Sequence, residues 1–252
     1  MRIRITAQPL AQRVAVVTGA ASGIGQAILN AYVAAGAQVL AVDRSPLSSQ
    51  DAVLPGVIAC EQDLTAPRAA ERIVAEAERR WGRIDILVNN AGVAQGAPIE
   101  ETSDELWERT LLINLTVAFR LCRAAVPLLK RSEAGRIINV GSVMSSFGGP
   151  GLSAYAASKH GVAGLTKCLA SELGQFGVTA NYIQPGAVVT AITRDGFEQN
   201  PAFRQFWENK AALGRLGQPE DIAPLAVFLA SRGSGFISGQ GLIADGGAVQ
   251  AV

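Results

Sequence analysis

"RVAVVTGAASGIGQAILNAYVAAGA", residues 13–37, decides the fold. It opens with small and β-branched apolar residues that suit a strand covered on both faces. It closes with apolar residues at helical spacing, stopped by Gly36. Between them stands "TGAASGIG", Thr18 to Gly25. Glycines let a backbone turn tightly and approach a ligand closely. A helix that begins inside such a turn aims its free amides at an anion. Any tight strand-to-helix turn wants glycine, so it is the strand before and the helix after that point to a dinucleotide pyrophosphate. The spacing is T-G-x-x-x-G-x-G, not the commoner G-x-G-x-x-G. Gly19, Ser22, Gly23, Ile24 and Gly25 are the candidate phosphate-side contacts.

The alternation continues down the chain. "QVLAVD" (38–43) reads as a second strand and "GVIACEQD" (56–63) as a weaker third. "APRAAERIVAEAERRWG" (66–82) is a helix with Pro67 near its start and Gly82 past its end. The strand "DILVNNAG" (85–92), a helical region from about Thr102 to Leu129, and the strand "GRIINVGS" (135–142) follow. Next come the helix carrying "YAASKHGVAGLTKCLASELG" (155–174) and the strand "VTANYIQPG" (178–186). From about 190 to 213 the pattern loosens into helical pieces whose Gly and Pro predict a mobile flap. "QPEDIAPLAVFLAS" (218–231) is a last helix and "GQGLIADGG" (239–247) a final short strand. Strands alternating with helices predict a doubly wound α/β fold, a parallel sheet of about seven strands with helices on both faces. With no linker or repeat, residues 1–252 read as one domain.

Composition narrows the function. Apolar residues make up 49% and charged residues 17%, enough for a large core. A net charge of +1 without a basic run gives no field for nucleic acid or an anionic membrane. Cys60, Cys122 and Cys168 are far apart and odd in number, which predicts buried reduced thiols rather than disulfides or a metal site. Early arginines stand in "MRIRITAQPLAQR", but Gln8, Pro9, Gln12 and Arg13 interrupt any signal-peptide core. No uninterrupted apolar run nears the ~18 residues a bilayer span needs, so the expectation is a soluble, cytoplasmic protein.

Several residues carry chemistry. Asp43 ends the second strand, where an acid accepts from adenosine ribose hydroxyls and repels a 2′-phosphate, favouring NAD over NADP. Arg44, beside it, argues the other way. Asp63 and Leu64 follow the third strand, at the adenine edge or on a plain surface loop. Asn90, Ala91 and Gly92 end the fourth, where the chain passes beneath a cofactor or simply turns. Asn114 sits inside the apolar "LLINLTVAF", where a helix tolerates an amide only if its polar groups are satisfied. Ser142 lies just past a strand's carboxyl end, where open α/β sheets put their sites. Tyr155 and Lys159 are four apart, on one face of a helix. His160, the only histidine, needs no more than a local partner.

Together these motifs resemble the short-chain dehydrogenase/reductase family, from "TGAASGIG" through "NNAG", Asn114, Ser142 and "YAASK" to "PGAVVT" and "ADGG". The resemblance implies a Rossmann-type fold and interconversion of a secondary alcohol and a ketone with a nicotinamide cofactor. It implies Tyr155 as acid and base, Ser142 on the substrate oxygen, and Lys159 on the nicotinamide ribose. It implies Asn114 ordering a water that links Lys159 to solvent. Pro185, Gly186, Val188 and Thr190 would face the nicotinamide carboxamide. A neighbouring ammonium and a cationic nicotinamide would lower the Tyr155 pKa from its usual value of about 10. A homotetramer is implied as well. The alternatives are an NADPH-dependent 3-oxoacyl-carrier-protein reductase and, in another class, a non-catalytic dinucleotide sensor. For the substrate pocket the candidates are Val93, Gln95, Met144, Phe147, Phe206 and Trp207, suiting an apolar or ring-bearing alcohol or ketone. Aromatics at helical spacing are also what a core or an interface uses.

Overall fold

The first strand, β1 (Val14–Thr18), is buried along its whole length, as a strand covered on both faces must be. The computed structural model to which it belongs describes residues 8–249, and the early arginines lie outside that range. α1 (Gly23–Ala34) follows β1 through the glycine turn and is ended by Gly36 at φ +90°. Then come β2 (Gln38–Asp43), a one-turn α2 (Ser49–Ala52), β3 (Val57–Glu61) and α3 (Ala69–Trp81). Gly82 caps α3 at φ +70°, the left-handed conformation that glycine adopts without strain. β4 (Ile86–Asn89) leads to α4 (Asp104–Leu111), a π-helical turn Leu112–Thr116, and α5 (Val117–Leu129). β5 (Arg136–Val140), α6 (Ser153–Leu173) and β6 (Thr179–Pro185) complete the core alternation. α7 (Arg194–Gln199), α8 (Pro201–Lys210), α9 (Pro219–Ala230) and β7 (Gly241–Ala244) close the described chain.

All seven strands pair in parallel, in the order β3-β2-β1-β4-β5-β6-β7. The order reverses between β1 and β4, and that switch point is where open α/β sheets bind ligands, outside the strands' carboxyl ends. One core lies against α1 and α9, with Ile28, Leu29, Tyr32, Ile222 and Leu229 on the sheet. The other lies against α3, α5 and α6, with Ile73, Leu121, Leu129, Leu169 and Leu173. Tyr32 also donates to the Ala226 carbonyl at 3.1 Å, tying α1 to α9.

The amino ends of the strands hold a polar cluster that sequence reading overlooked. Buried Asp85 accepts from the Val14 amide at 2.9 Å, from Arg83 at 2.6 Å and from Ser132. Buried Arg13 donates to the carbonyls of Ala230, Asp85 and Ala134, so one guanidinium ties β1 and β4 to the ends of α5 and α9. Burial pushes the Asp85 pKa up, but its hydrogen bonds outweigh that and hold it below its ordinary value.

Two expectations need correction. Only Cys122 is a buried thiol; Cys60 is half-buried and Cys168 exposed, because alternating and helical positions turned them outward. Burial pushes the Cys122 thiol up to about 12. The continuous helix Asp104–Leu129 is long and apolar enough to cross a membrane by length and composition. Counting uninterrupted apolar residues missed it, since isolated charges punctuate the run. In the fold its apolar stripe, with Val117, Leu121, Ala125 and Leu128, packs into the second core.

Candidate active site

The glycine turn fits the phosphates of a dinucleotide. Gly19 and Gly23 hold φ of +66° and +55°. A Cβ at Gly25 would lie 1.9 Å from the Gly19 carbonyl oxygen, so the turn closes only on glycine. Ser22 is the N-cap of α1, but its side chain makes no capping hydrogen bond and the first turn carries no acid. The amides around Gly23, Ile24 and Gly25 are therefore free for an anion, and the helix dipole favours one. Thr190 closes over the turn: a Cβ on Gly23 would sit 3.3 Å from its side chain. Thr193 fixes Thr190: its Oγ1 accepts from the Thr190 amide at 2.9 Å and donates to the Val188 carbonyl at 2.6 Å. Val188 is buried and bridges to Gly217, and the Gly186 amide donates to Ala244, so the segment leaving Pro185 is firmly seated.

Asp43 sits at the end of β2 with both carboxylate oxygens engaged, one by the Ala21 amide and one by the Ser45 amide, each at 3.0 Å. It braces the glycine turn as well as presenting charge beside it. Asp63 is exposed, and its Oδ1 accepts from the amide and hydroxyl of Thr65. Those two bonds hold its pKa below the ordinary value. Leu64 packs onto the second core. Asn90 turns its amide to the Thr18 and Gly19 carbonyls at 2.9 and 3.2 Å, while Thr18 Oγ1 receives the amides of Asn90 and Ala91. Buried Thr18 thus pins the end of β4 to the glycine turn; sequence reading had not singled it out, although it opens the motif.

The π turn carries Asn114. Its Oδ1 accepts from the Val93 amide at 2.8 Å, and its Nδ2 donates to the Val93 carbonyl at 2.9 Å and to Ser158 Oγ at 3.0 Å. The mid-helix amide is fully partnered, and π turns of this kind are frequent at functional sites. Ser158, fully buried, passes the contact on to the Tyr155 carbonyl at 2.6 Å. It too was missed, although it stands inside "YAASK". A Cβ on Gly92 would lie 3.1 Å from Asn114 Oδ1 and 3.7 Å from Lys159 Nζ, so Gly92 crosses directly over both.

Lys159 is buried and donates to the Val140 carbonyl at 2.8 Å; its Nζ stands 5.7 Å from the centre of the Tyr155 ring. Burial lowers its pKa to about 8. Burial also raises the Tyr155 pKa, and a hydrogen bond from the Ser142 side chain pulls the other way. The expected lowering of that phenol is therefore absent from the protein by itself, because burial outweighs the bond from Ser142. Ser142 opens a short 3-10 turn, Val143–Ser145, with its Oγ receiving the Met144 amide at 3.1 Å and its own amide on Ser145 Oγ. Asn114, Ser142, Tyr155 and Lys159 thus converge, and His160 faces away, its ring nitrogen 3.0 Å from the Ala156 carbonyl.

The pocket candidates divide. Val93 is half-buried with both backbone groups held by Asn114, and Met144 is half-buried in the short turn after β5. Gln95 is exposed and accepts from Arg109. Phe147 is 44% exposed. Phe206 and Trp207 belong to a row of aromatics on α7 and α8: Phe197 stacks on Phe203, Trp207 stands edge-on to both Phe203 and Phe206. They pack on one another, with Phe206 55% exposed.

Comparison with known proteins agrees with this fold. A family model described as enoyl-(acyl carrier protein) reductase matches residues 19–249. The chain is 36% identical to the 3-oxoacyl-[acyl-carrier-protein] reductase FabG of Thermotoga maritima over 94% of this chain and 98% of that one. It is 39% identical to a D-threitol dehydrogenase of Mycolicibacterium smegmatis, over 93% and 92% of the two chains. Among solved structures, a proposed NAD(P)-dependent gluconate 5-dehydrogenase of Beutenbergia cavernae, holding NADP at low occupancy, superposes with a TM-score of 0.91 at 40% identity, covering 97% and 100%. The aldohexose dehydrogenase of Thermoplasma acidophilum gives 0.90 at 30% identity, covering 98% of each. A dinucleotide-binding turn beside a Tyr–Lys pair defines an oxidoreductase of the nicotinamide-dependent class. The chain belongs to the short-chain dehydrogenase/reductase family.

Proposed function

We propose that the protein interconverts a secondary alcohol and a ketone with NAD(H), using Tyr155 as acid and base. The observation that carries this is the convergence of Tyr155, Lys159, Ser142 and Asn114 beside the glycine turn. Bound nicotinamide supplies the hydride acceptor or donor, chemistry no side chain provides. The chain's own residues move the proton. Tyr155 Oη takes it from the alcohol and returns it in the opposite direction. Ser142 Oγ donates to the substrate oxygen as charge develops there. Lys159, released from Val140, holds the ribose side and steadies the phenolate, and Asn114 and Ser158 keep the helix and the Val93 loop in register around it.

Asp43 supports NAD, since an acid ending the second strand would repel a 2′-phosphate. The NADP in the Beutenbergia structure and the FabG relatives support the second reading, an NADPH-dependent 3-oxoacyl-carrier-protein reductase. The threitol, gluconate and aldohexose enzymes among the relatives favour a hydroxylated substrate over an acyl thioester. A homotetramer fits the half-exposed Trp107 and Phe119 on the long helix. Steady-state rates with threitol, gluconate, aldohexoses, cyclic alcohols and 3-oxoacyl thioesters test the reading. Oxidation of a secondary alcohol with NAD supports it; thioester reduction with NADPH alone replaces it with the second.

A further inference from the structure

Gln184 is a buried amide near the end of β6, 3% exposed, in a strand that is otherwise almost wholly apolar at its end. An amide removed from water needs a hydrogen-bond partner, and leaving it without one costs about 1–3 kcal/mol. The Gln184 side-chain oxygen has one: it accepts from Ser146 Oγ at 2.9 Å. Ser146 ends the short turn that Ser142 begins, and its amide donates to the Val143 carbonyl at 3.1 Å. The turn's other end is closed by Ser142 and Ser145 on each other's backbone and side chain. Gln184 follows the pair Val140↔Ile183, so it stands beside Gly141, the residue before Ser142. The carboxamide therefore ties the finish of the turn to β6, while the Gly141 amide ties its start to the Ile183 carbonyl at 2.8 Å, and β6 runs directly into Pro185 and Gly186.

Resting on the proposed reaction, we propose that Gln184 is a positioning residue that acts through Ser146 to hold the Ser142 hydroxyl in place against Tyr155. Ser142 itself touches the substrate oxygen; Gln184 determines where that hydroxyl stands. Without the clasp the turn gains freedom, and the bond from Ser142 that lowers the Tyr155 pKa weakens. The groups facing this phenol are Ser142 and the Lys159 ammonium, and neither is altered chemically by a change at Gln184.

The test needs no substrate at its first step. The chain has three tyrosines, so the ultraviolet titration of Tyr155 is obtained by subtracting the curve of Tyr155→Phe. In Gln184→Met and in Ser146→Ala, the Tyr155 titration is expected to move upward by about half a pH unit, the size of a weakened hydrogen bond. The double variant moves no further than either single one, and Ser146→Thr, which keeps the hydroxyl, restores the wild-type curve. With an alcohol that the wild type oxidises, kcat falls about tenfold in both single variants, while NADH affinity by fluorescence stays unchanged. An unmoved Tyr155 titration overturns the inference. So does a loss in Gln184→Met that Ser146→Ala does not share, which would put Gln184 in contact with the substrate instead. Failure of the wild type to turn over any alcohol or ketone would count against the proposed reaction alone, since the titration stands without it.

Discussion

The Lys159 ammonium lies 5.7 Å from the centre of the Tyr155 ring and donates to the Val140 carbonyl at 2.8 Å. The pair is assembled but not yet coupled as acid–base chemistry needs. Burial pushes the phenol up and the ammonium down, so each is held toward its neutral form. A cationic ring arriving beside them would favour the phenolate, and ribose hydroxyls accepting from Lys159 would favour its ammonium form. On this account the protein alone is a poor base, and binding of the oxidised dinucleotide activates it.

A stability measurement follows from Lys159. Its pKa falls from 10.5 to about 8 because of burial. Between those values the unfolded chain holds a proton that the folded chain lacks, so stability from this group rises with pH across that window. Below the folded value the folded protein bears the whole penalty of burying the charge. Thermal melting of nucleotide-free protein should show the wild type gaining on Lys159→Met as pH climbs from 8 toward 10.5. Parallel curves for the two proteins would mean that the ammonium is not desolvated.

Gly25→Ala tests the glycine turn. The new methyl would meet the Gly19 carbonyl oxygen at 1.9 Å and Asn90 Nδ2 at 2.4 Å, and the first of these is backbone that cannot swing aside. NADH affinity by fluorescence is expected to drop by about a hundredfold or more, equivalent to ~2.7 kcal/mol. Gly164→Ala, with nothing within 4 Å of its Cβ, serves as the control and should gain up to ~1 kcal/mol from helix propensity. Retained affinity in Gly25→Ala would show that the turn does not hold the pyrophosphate.

Asp43→Asn tests the choice of dinucleotide. The variant keeps an acceptor for the glycine turn but removes the charge that opposes a 2′-phosphate, leaving Arg44 in place. The ratio of kcat/KM for NAD over NADP should fall by about tenfold or more, ~1.4 kcal/mol. A wild type that already prefers NADP would transfer the decisive role to Arg44.

The alternation of strand and helix was legible because period-two and period-3.6 patterns are local. The glycine turn, Asn114, Ser142 and the Tyr155–Lys159 pair were legible because each is an unusual residue for its local setting. What escaped was non-local. Nothing in "LLINLTVAF" announces a π turn, since its cause is Asn114 reaching across to Val93. Arg13 and Asp85 look like ordinary strand-end charges until four elements meet around them. Gln184 and Ser146 are 38 residues apart and acquire meaning only as partners. The aromatics of α8 carried a helical spacing that fits pocket, core or interface alike, and packing on one another was a fourth outcome.

The most direct test follows the absorbance of reduced nicotinamide while wild type and Tyr155→Phe meet NAD and the hydroxylated alcohols. The account predicts steady reduction of NAD by wild type, a loss of about a thousandfold or more in Tyr155→Phe, and equal NADH affinity in the two. Comparable rates in both proteins would contradict it, because the proton would then be taken by some group other than Tyr155.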